Sequence, residues 1–409
     1  MNTQLRRHAD QIVRQAIDAV LPDAAVKRAL DGQTFPGKVI LVAAGKAGWQ
    51  MAKTAWECLG DRIEQGIVIT KYDHVKSPIG NLVCLEAGHP VPDENSFAAT
   101  RQALKMVSGL TAQDTVLFLL SGGGSALFED PLIPGEELQD ITRQLLACGA
   151  DITQMNTIRK RLSRVKGGRF ALACAPAQVY TIVLSDIVGD TLDLIASGPD
   201  YPDSSTCQQA LQIVEDYGLQ FSRQTMALLA QETPKQLDNV VTCITGSVRQ
   251  LVAAAAESCK TLGYEPVILT DSLECQAKEA GAMLADIIIS HPAPAHPMAF
   301  LAGGETVVKL TGHGKGGRNQ ELALSAAPAI AGRNACVFSV GSDGTDGPTD
   351  AAGGYVDGDT AATLSAQGID IAAVLQDNDA YHALELCNGL IITGPTGTNV
   401  NDVAVALCR

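Results

Sequence analysis

One local pattern narrows the fold more than any other. A short apolar run stops at glycine, serine or a lone charged residue, and a stretch of helical periodicity follows. Lys38 to Ala44 (KVILVAA) stops at Gly45-Lys46-Ala47-Gly48, and Gly66 to Thr70 stops at Lys71. Leu82 to Glu86 leads into Gly88-His89-Pro90, and Val179 to Leu184 into Ser185-Asp186. Thr115 to Leu120 stops at Ser121, Gly122, Gly123, Gly124 and Ser125. Apolar runs this short, bounded by turn residues, read as strands buried on both faces. Strands alternating with helices give a mainly parallel, doubly wound sheet. Ligands of such sheets bind beyond the carboxyl ends of the strands. Lys46, Lys71, His89, the Ser121–Ser125 loop and Asp186 all fall at that edge.

The pattern restarts after the polar stretch Gln231 to Asp238 (QETPKQLD). The expected domains are therefore residues 1–237 and 238–409, within the usual size range. In the second, strands are expected at Val240–Ile244, Glu265–Leu269, Phe300 onward, Val307–Leu310, Ala335–Val340 and Leu390–Thr393, with a closing helix. The first twenty residues have helical spacing and read as a surface helix. The fold class is α/β: two Rossmann-like three-layer α/β/α domains with mainly parallel sheets and an interdomain cleft. A composition 46% hydrophobic but only 4% aromatic suits small helices on buried strands. A net charge of −15 argues against nucleic acid as a partner. Eleven scattered cysteines, without C-x-x-C pairs, predict reduced thiols and a cytoplasmic protein. No apolar run is long enough to span a membrane, and no secretory signal opens the chain. Homo-oligomerisation is compatible with this reading.

The densest chemistry lies in Phe300 to Leu324. Gly303-Gly304-Glu305 ends one strand, and Gly312-His313-Gly314-Lys315-Gly316-Gly317-Arg318-Asn319 opens a helix. Glycine lets backbone amides approach a ligand, and a helix N-terminus favours an anion. Lys315 and Arg318 add full charge, so Gly303, Gly304, Gly314, Lys315, Gly316, Gly317 and Asn319 are candidate phosphate contacts. The alternative is a connecting turn. Lys166-Gly167-Gly168-Arg169 echoes Lys315 to Arg318, and Asn156, Arg159 and Lys160 adjoin on a helix face that could meet a ligand or only solvent. Asp186, Glu305, Asp343 and Asp346 could hold Mg²⁺ or accept a hydroxyl proton. Anion loops with carboxylates point to phosphoryl transfer, which needs positioning and cations rather than covalent help. A P-loop, a nucleophile elbow and a zinc site are absent. Gly312-x-Gly314-x-x-Gly317 does match a dinucleotide fingerprint, but charge replaces small apolar packing, and the acid at Asp343 comes late.

Further motifs carry a family likeness: GKAG at 45–48, AGHPVPDE at 87–94, LSGGGSAL at 120–127, KGGR at 166–169, SDIVGD at 185–190 and SGPD at 197–200. AGGET at 302–306, GKGGRNQE at 314–321, GSDGTDGPTDAAGG at 341–354 and TGPTGTNVND at 393–402 continue it. The chain resembles, over nearly its whole length, the two-domain glycerate 2-kinases, some of which carry the older label hydroxypyruvate reductase. The resemblance implies transfer of phosphate from ATP, with Mg²⁺, to the 2-hydroxyl of D-glycerate, giving 2-phospho-D-glycerate and ADP. It implies that Lys46 and Arg318 polarise the transferred phosphate and that Asp343 lies near the reacting hydroxyl. Of the strand-end carboxylates, Asp186 and Glu305 are the expected Mg²⁺ ligands. An NAD(P)H-dependent hydroxypyruvate reductase is the alternative, and a non-catalytic sensor of phosphorylated acids is a third reading.

Overall fold

The computed structural model describes residues 1–185, 192–291 and 294–409. They form two compact units, each with one six-stranded sheet. Of the described residues, one unit takes 25–185 and 192–245, and the other takes 1–24 and 246–409.

The first unit carries β1 (Val39–Ala44), β2 (Ile63–Lys71), β3 (Val83–Ala87), β4 (Thr115–Leu120), β5 (Gln178–Leu184) and β6 (Val240–Gly246). Their order is β3-β2-β1-β4-β5-β6. β1 pairs parallel with β2 and β4, β2 with β3, and β4 with β5. Every residue of β1 and β4 is buried. Helices cover both faces, so these strands are apolar throughout rather than alternating. On one face Val39, Leu41, Leu117, Leu119 and Ile182 pack with Met51, Ala52 and Ala55 of the helix Gly48–Leu59. Elsewhere in the unit Phe118, Phe128 and Phe170 stack with ring centroids 4.8–5.5 Å apart.

The second unit carries β7 (Glu265–Leu273), β8 (Met298–Gly304), β9 (Ala335–Gly341), β10 (Gly353–Asp357), β11 (Leu390–Ile391) and β12 (Asp402–Cys408). The α/β class holds here too, but the expected mainly parallel arrangement does not extend to this sheet. The order is β11-β10-β9-β12-β8-β7. Only β7–β8 pairs parallel; β8–β12, β12–β9, β9–β10 and β10–β11 are antiparallel. The closing segment, expected as a helix, is the strand β12, buried at every position. Seven mostly apolar residues cannot be assigned by periodicity alone, and a slot between two strands settles the matter. The segment Val307–Leu310 forms no strand beyond a bridge from Val307 to Gln276.

The first helix, Thr3–Ala19, belongs to this second unit rather than to the N-terminal one expected from chain order. The Asn2 side chain caps it, accepting from Gln4 and Leu5 amides. Leu5, Ile12, Val13 and Ile17 share a core with Val248, Leu251, Phe338 and Val405. Arg6 donates to the carbonyls of Asn388 and Leu390, both at 2.9 Å. Conversely β6, expected in the second domain, completes the first sheet, so the division falls near Gly246 rather than 237.

Candidate active site

In the first unit, β1 and β4 are neighbours whose chain continues to opposite sides of the sheet. That reversal is where doubly wound sheets open a crevice. The two loops there are laced together: Lys46 N–H donates to Gly122 O (2.9 Å) and Ala47 N–H to Ser121 Oγ (3.1 Å). A side chain at Gly45 would strike Ser121. Gly123 has φ +87°, a left-handed conformation that glycine adopts at no steric cost. A methyl group on Gly123 would lie 3.2 Å from Lys46 Cγ and 3.0 Å from His89 Cδ2. Lys46 is exposed there. Thus Lys46, Ser121, Gly122 and Gly123 do come together, with His89 as an added neighbour.

The other first-unit candidates mostly brace this loop from within. Ser125 Oγ meets Ser197 Oγ (3.2 Å), and Ser197 donates to Asn156 Oδ1 (2.9 Å), both of the latter residues being buried. Gly124 is buried against Ala196. Arg159 donates to Ser125 O at 3.3 Å. Lys166 donates to Ser125 O (2.8 Å) and Phe128 O (3.1 Å) and lies 3.4 Å from Glu129. Complete burial pulls the Lys166 ammonium down to about 8, against the pull of Glu129. Lys160 is buried between Asp193 (3.3 Å) and Asp203 (3.1 Å). Its charge is already compensated, so its part is structural. Arg169 spends one nitrogen on the carbonyls of Lys160, Arg161 and Ser163. The KGGR echo is therefore a packing feature of this unit. Asp186 lies outside the described residues.

In the second unit the carboxyl ends of β8 and β9 flank the first residue of β12. Asp402 pairs with Gly304 on one side and Gly341 on the other. Arg318, opening the helix Arg318–Ala326, clasps Asp402 with two nitrogens, Nε to Oδ2 at 2.6 Å and Nη2 to Oδ1 at 3.0 Å. Such a fork-on-carboxylate pair fixes the plane of the guanidinium. Its Nη1 donates to Glu305 at 2.6 Å, and Asn401 holds the other Glu305 oxygen at 3.1 Å. Asp343 borders the same place: a methyl on Gly341 would lie 3.3 Å from Asp343 Oδ1 and 3.4 Å from Asp402 Oδ1. Burial pushes the Asp402 carboxyl up to about 6, against the pull of Arg318. Burial works against the Arg318 charge too, but Asp402, Glu305 and Asp346 more than reverse it, so its proton is held firmly.

The glycine-rich loop differs from a phosphate cradle. Thr311 and Gly312 amides donate to Asn378 Oδ1, His313 to Asp377 Oδ1, Gly314 to Asp377 O and Lys315 to Asp379 Oδ1. Any side chain on Gly312, Gly314 or Gly317 would strike Asp377, Asp379 or Asp346. Gly316 lies against Asn378 and Ala380. Lys315 Nζ sits 3.9 Å above the Tyr381 ring. Buried Asp346 accepts from the Asn319 (3.1 Å) and Gln320 (2.9 Å) amides, so the helix already holds an internal anion. Burial raises the Asp346 carboxyl, while these amide bonds oppose the rise. Gly303 packs beneath Val248 and Val252, and Gly304 backs onto Leu273. The glycines are needed for close packing, and Arg318 is the loop side chain that reaches the carboxylates at the strand ends. Asp402 and Asn401 were not singled out from sequence, although both lie within the TGPTGTNVND motif; only the insertion of β12 reveals their place.

Together the units define a two-domain α/β protein with charged groups gathered at strand ends in each. Residues 8–230 match a family described as a domain of unknown function, DUF4147, and residues 298–402 match the MOFRL family. A D-glycerate 2-kinase from Thermotoga maritima is 51% identical, with 98% of each chain covered. The crystal structure of the Thermotoga maritima glycerate kinase covers 99% of this chain and 100% of its own, with a TM-score of 0.95. A glycerate 2-kinase from Pyrococcus horikoshii is 39% identical over 97% of this chain and 96% of its own. The chain belongs to the two-domain glycerate 2-kinase family. An Agrobacterium vitis relative, 38% identical over 98% of this chain and 94% of its own, bears the name hydroxypyruvate reductase only provisionally.

Proposed function

We propose that this chain transfers the γ-phosphoryl group of ATP to the 2-hydroxyl of D-glycerate. The observation that carries the reading is the clasped Arg318 at a carboxylate-lined strand end, in a chain 51% identical to a D-glycerate 2-kinase. The hydroxyl oxygen attacks γ-phosphorus, the bond to the β–γ bridging oxygen breaks, and ADP departs. Asp343, half-buried with only Oδ1 engaged by the Thr345 amide, accepts the hydroxyl proton. Arg318, its fork spent on Asp402, turns Nη1 toward the phosphoryl group. A phosphoryl oxygen takes the Nη1 donor that exposed Glu305 occupies, while Asp402 keeps the guanidinium plane fixed.

Among the described residues no three His, Cys, Asp or Glu side chains are grouped to hold a metal unaided. Mg²⁺ carried on nucleotide phosphates needs only one or two protein carboxylates, and Glu305 would supply one; Asp186, the other expected ligand, lies outside the described residues. When bound, the ion offsets phosphate charge.

The test is a product assay on the purified chain. D-glycerate and ATP should yield ADP and a secondary phosphate ester identified by phosphorus NMR, and excess chelator should abolish the reaction until Mg²⁺ is restored. Hydroxypyruvate-dependent NADH loss without ADP formation would overturn the proposal.

A further inference from the structure

Three neighbouring strands of the first sheet end on bases. β1 leads into Lys46, β2 ends on Lys71, and β3 leads through Gly88 into His89. Parallel register sets these ends side by side, with Ala44 opposite Ile69 and Lys71 opposite Ala87. The Gly123 backbone closes the fourth side. A methyl there would lie 3.0 Å from His89 Cδ2, 3.2 Å from its Nε2 and 3.2 Å from Lys46 Cγ. Imidazole and lysine stem thus flank one bare Cα.

Among the described residues no carboxylate forms an ion pair with Lys46 or Lys71, and neither ring nitrogen of His89 has a hydrogen-bond partner. The chain as a whole carries a net charge of −15, so this corner stands out in sign. Like charges gathered without counter-ions oppose folding, and a site that keeps them is suited to an anion from outside. Burial first, then Lys46, Lys71 and His74, drive the proton off His89, which leaves a neutral ring able to donate one hydrogen bond.

We propose that His89, with Lys46 and Lys71, forms the subsite that takes the carboxylate of the hydroxy-acid substrate. This rests on the kinase reading above. A carboxylate is favoured over nucleotide phosphate because metal-laden phosphate needs acidic residues nearby. Glu305, Asp343 and Asp402 gather around Arg318, and among the described residues no carboxylate pairs with the lysines here.

Steady-state kinetics of the full chain with both substrates test this. His89→Ala and Lys71→Ala should each raise KM for D-glycerate about ten- to a hundredfold, the scale for losing a hydrogen bond to a charged group. KM for ATP should change less than about twofold, and His89→Gln, which keeps a donor, should recover much of the loss. With glyceramide, which lacks the charge, the Lys71→Ala penalty should vanish and the His89→Ala penalty should shrink. A rise in KM for ATP instead would assign the subsite to phosphate, and no change in either would remove the subsite; both overturn the proposal. Calorimetric binding of D-glycerate separates the two readings. If the wild-type chain makes no ADP yet binds D-glycerate in a His89-dependent way, the kinase reading falls and the subsite stands.

Discussion

Arg318 shows how much one side chain's neighbours decide. It spends three nitrogens on two carboxylates, and a lysine could keep the charge but not the fork. Arg318→Lys should therefore lower kcat and kcat/KM together by at least about tenfold, as measured by ADP release at varied substrate. Asp402 gives this a pH dependence. Its folded pKa, about 6, lies above the ordinary 3.8. Between those values the folded chain binds more proton than the unfolded one, so this group stabilises the fold as pH falls through the window. Activity runs the other way, because a protonated Asp402 clasps Arg318 less well. The pH profile of kcat should fall on the acid side near 6. Asp402→Asn should cost at least about tenfold at pH 7.5 and remove that limb. A limb that persists in Asp402→Asn would assign it to another group.

At the level of elements, the helix Arg318–Ala326 has its first amides taken by Asp346, from a loop after β9. Asp346→Ala should strand both amides and cost about 1–2 kcal/mol, read as a lower urea midpoint with unchanged slope. Because Arg318 opens the same helix, turnover should fall with it. This element also marks where sequence reading stops. The strands of the first sheet were legible because burial on both faces writes each as an unbroken apolar run, bounded by its own turn. That signal placed Lys46 and the Ser121–Gly123 turn at strand ends, and the structure sets them side by side. The packing of the glycine loop was not legible because its partners, Asp377 to Asp379, lie some sixty residues away, and no local pattern announces such a pairing. Asp402 was passed over for the same reason: its meaning comes from the strands beside it, not from the residues before it.

Across the whole molecule, chain order and unit membership part company. Residues 1–24 belong with 246–409, and Leu5, Ile12 and Ile17 fill the core under β9 and β12. A fragment of residues 246–409 should thus expose that core and fold poorly. Adding the peptide 1–24 should restore cooperative melting in circular dichroism, whereas equal melting with and without it would show the helix to be dispensable. β12 carries a further consequence, for synthesis. Of the six strands in its sheet it is made last, yet it lies between β8 and β9, which are made before it. Until β12 is made, the edges of β8 and β9 that it pairs have no partner and the core beneath the first helix is incomplete, and pairings this distant form slowly. Nascent chains should therefore depend on chaperones until β12 is made, and a stop codon placed directly after Asn401 should leave a product that aggregates.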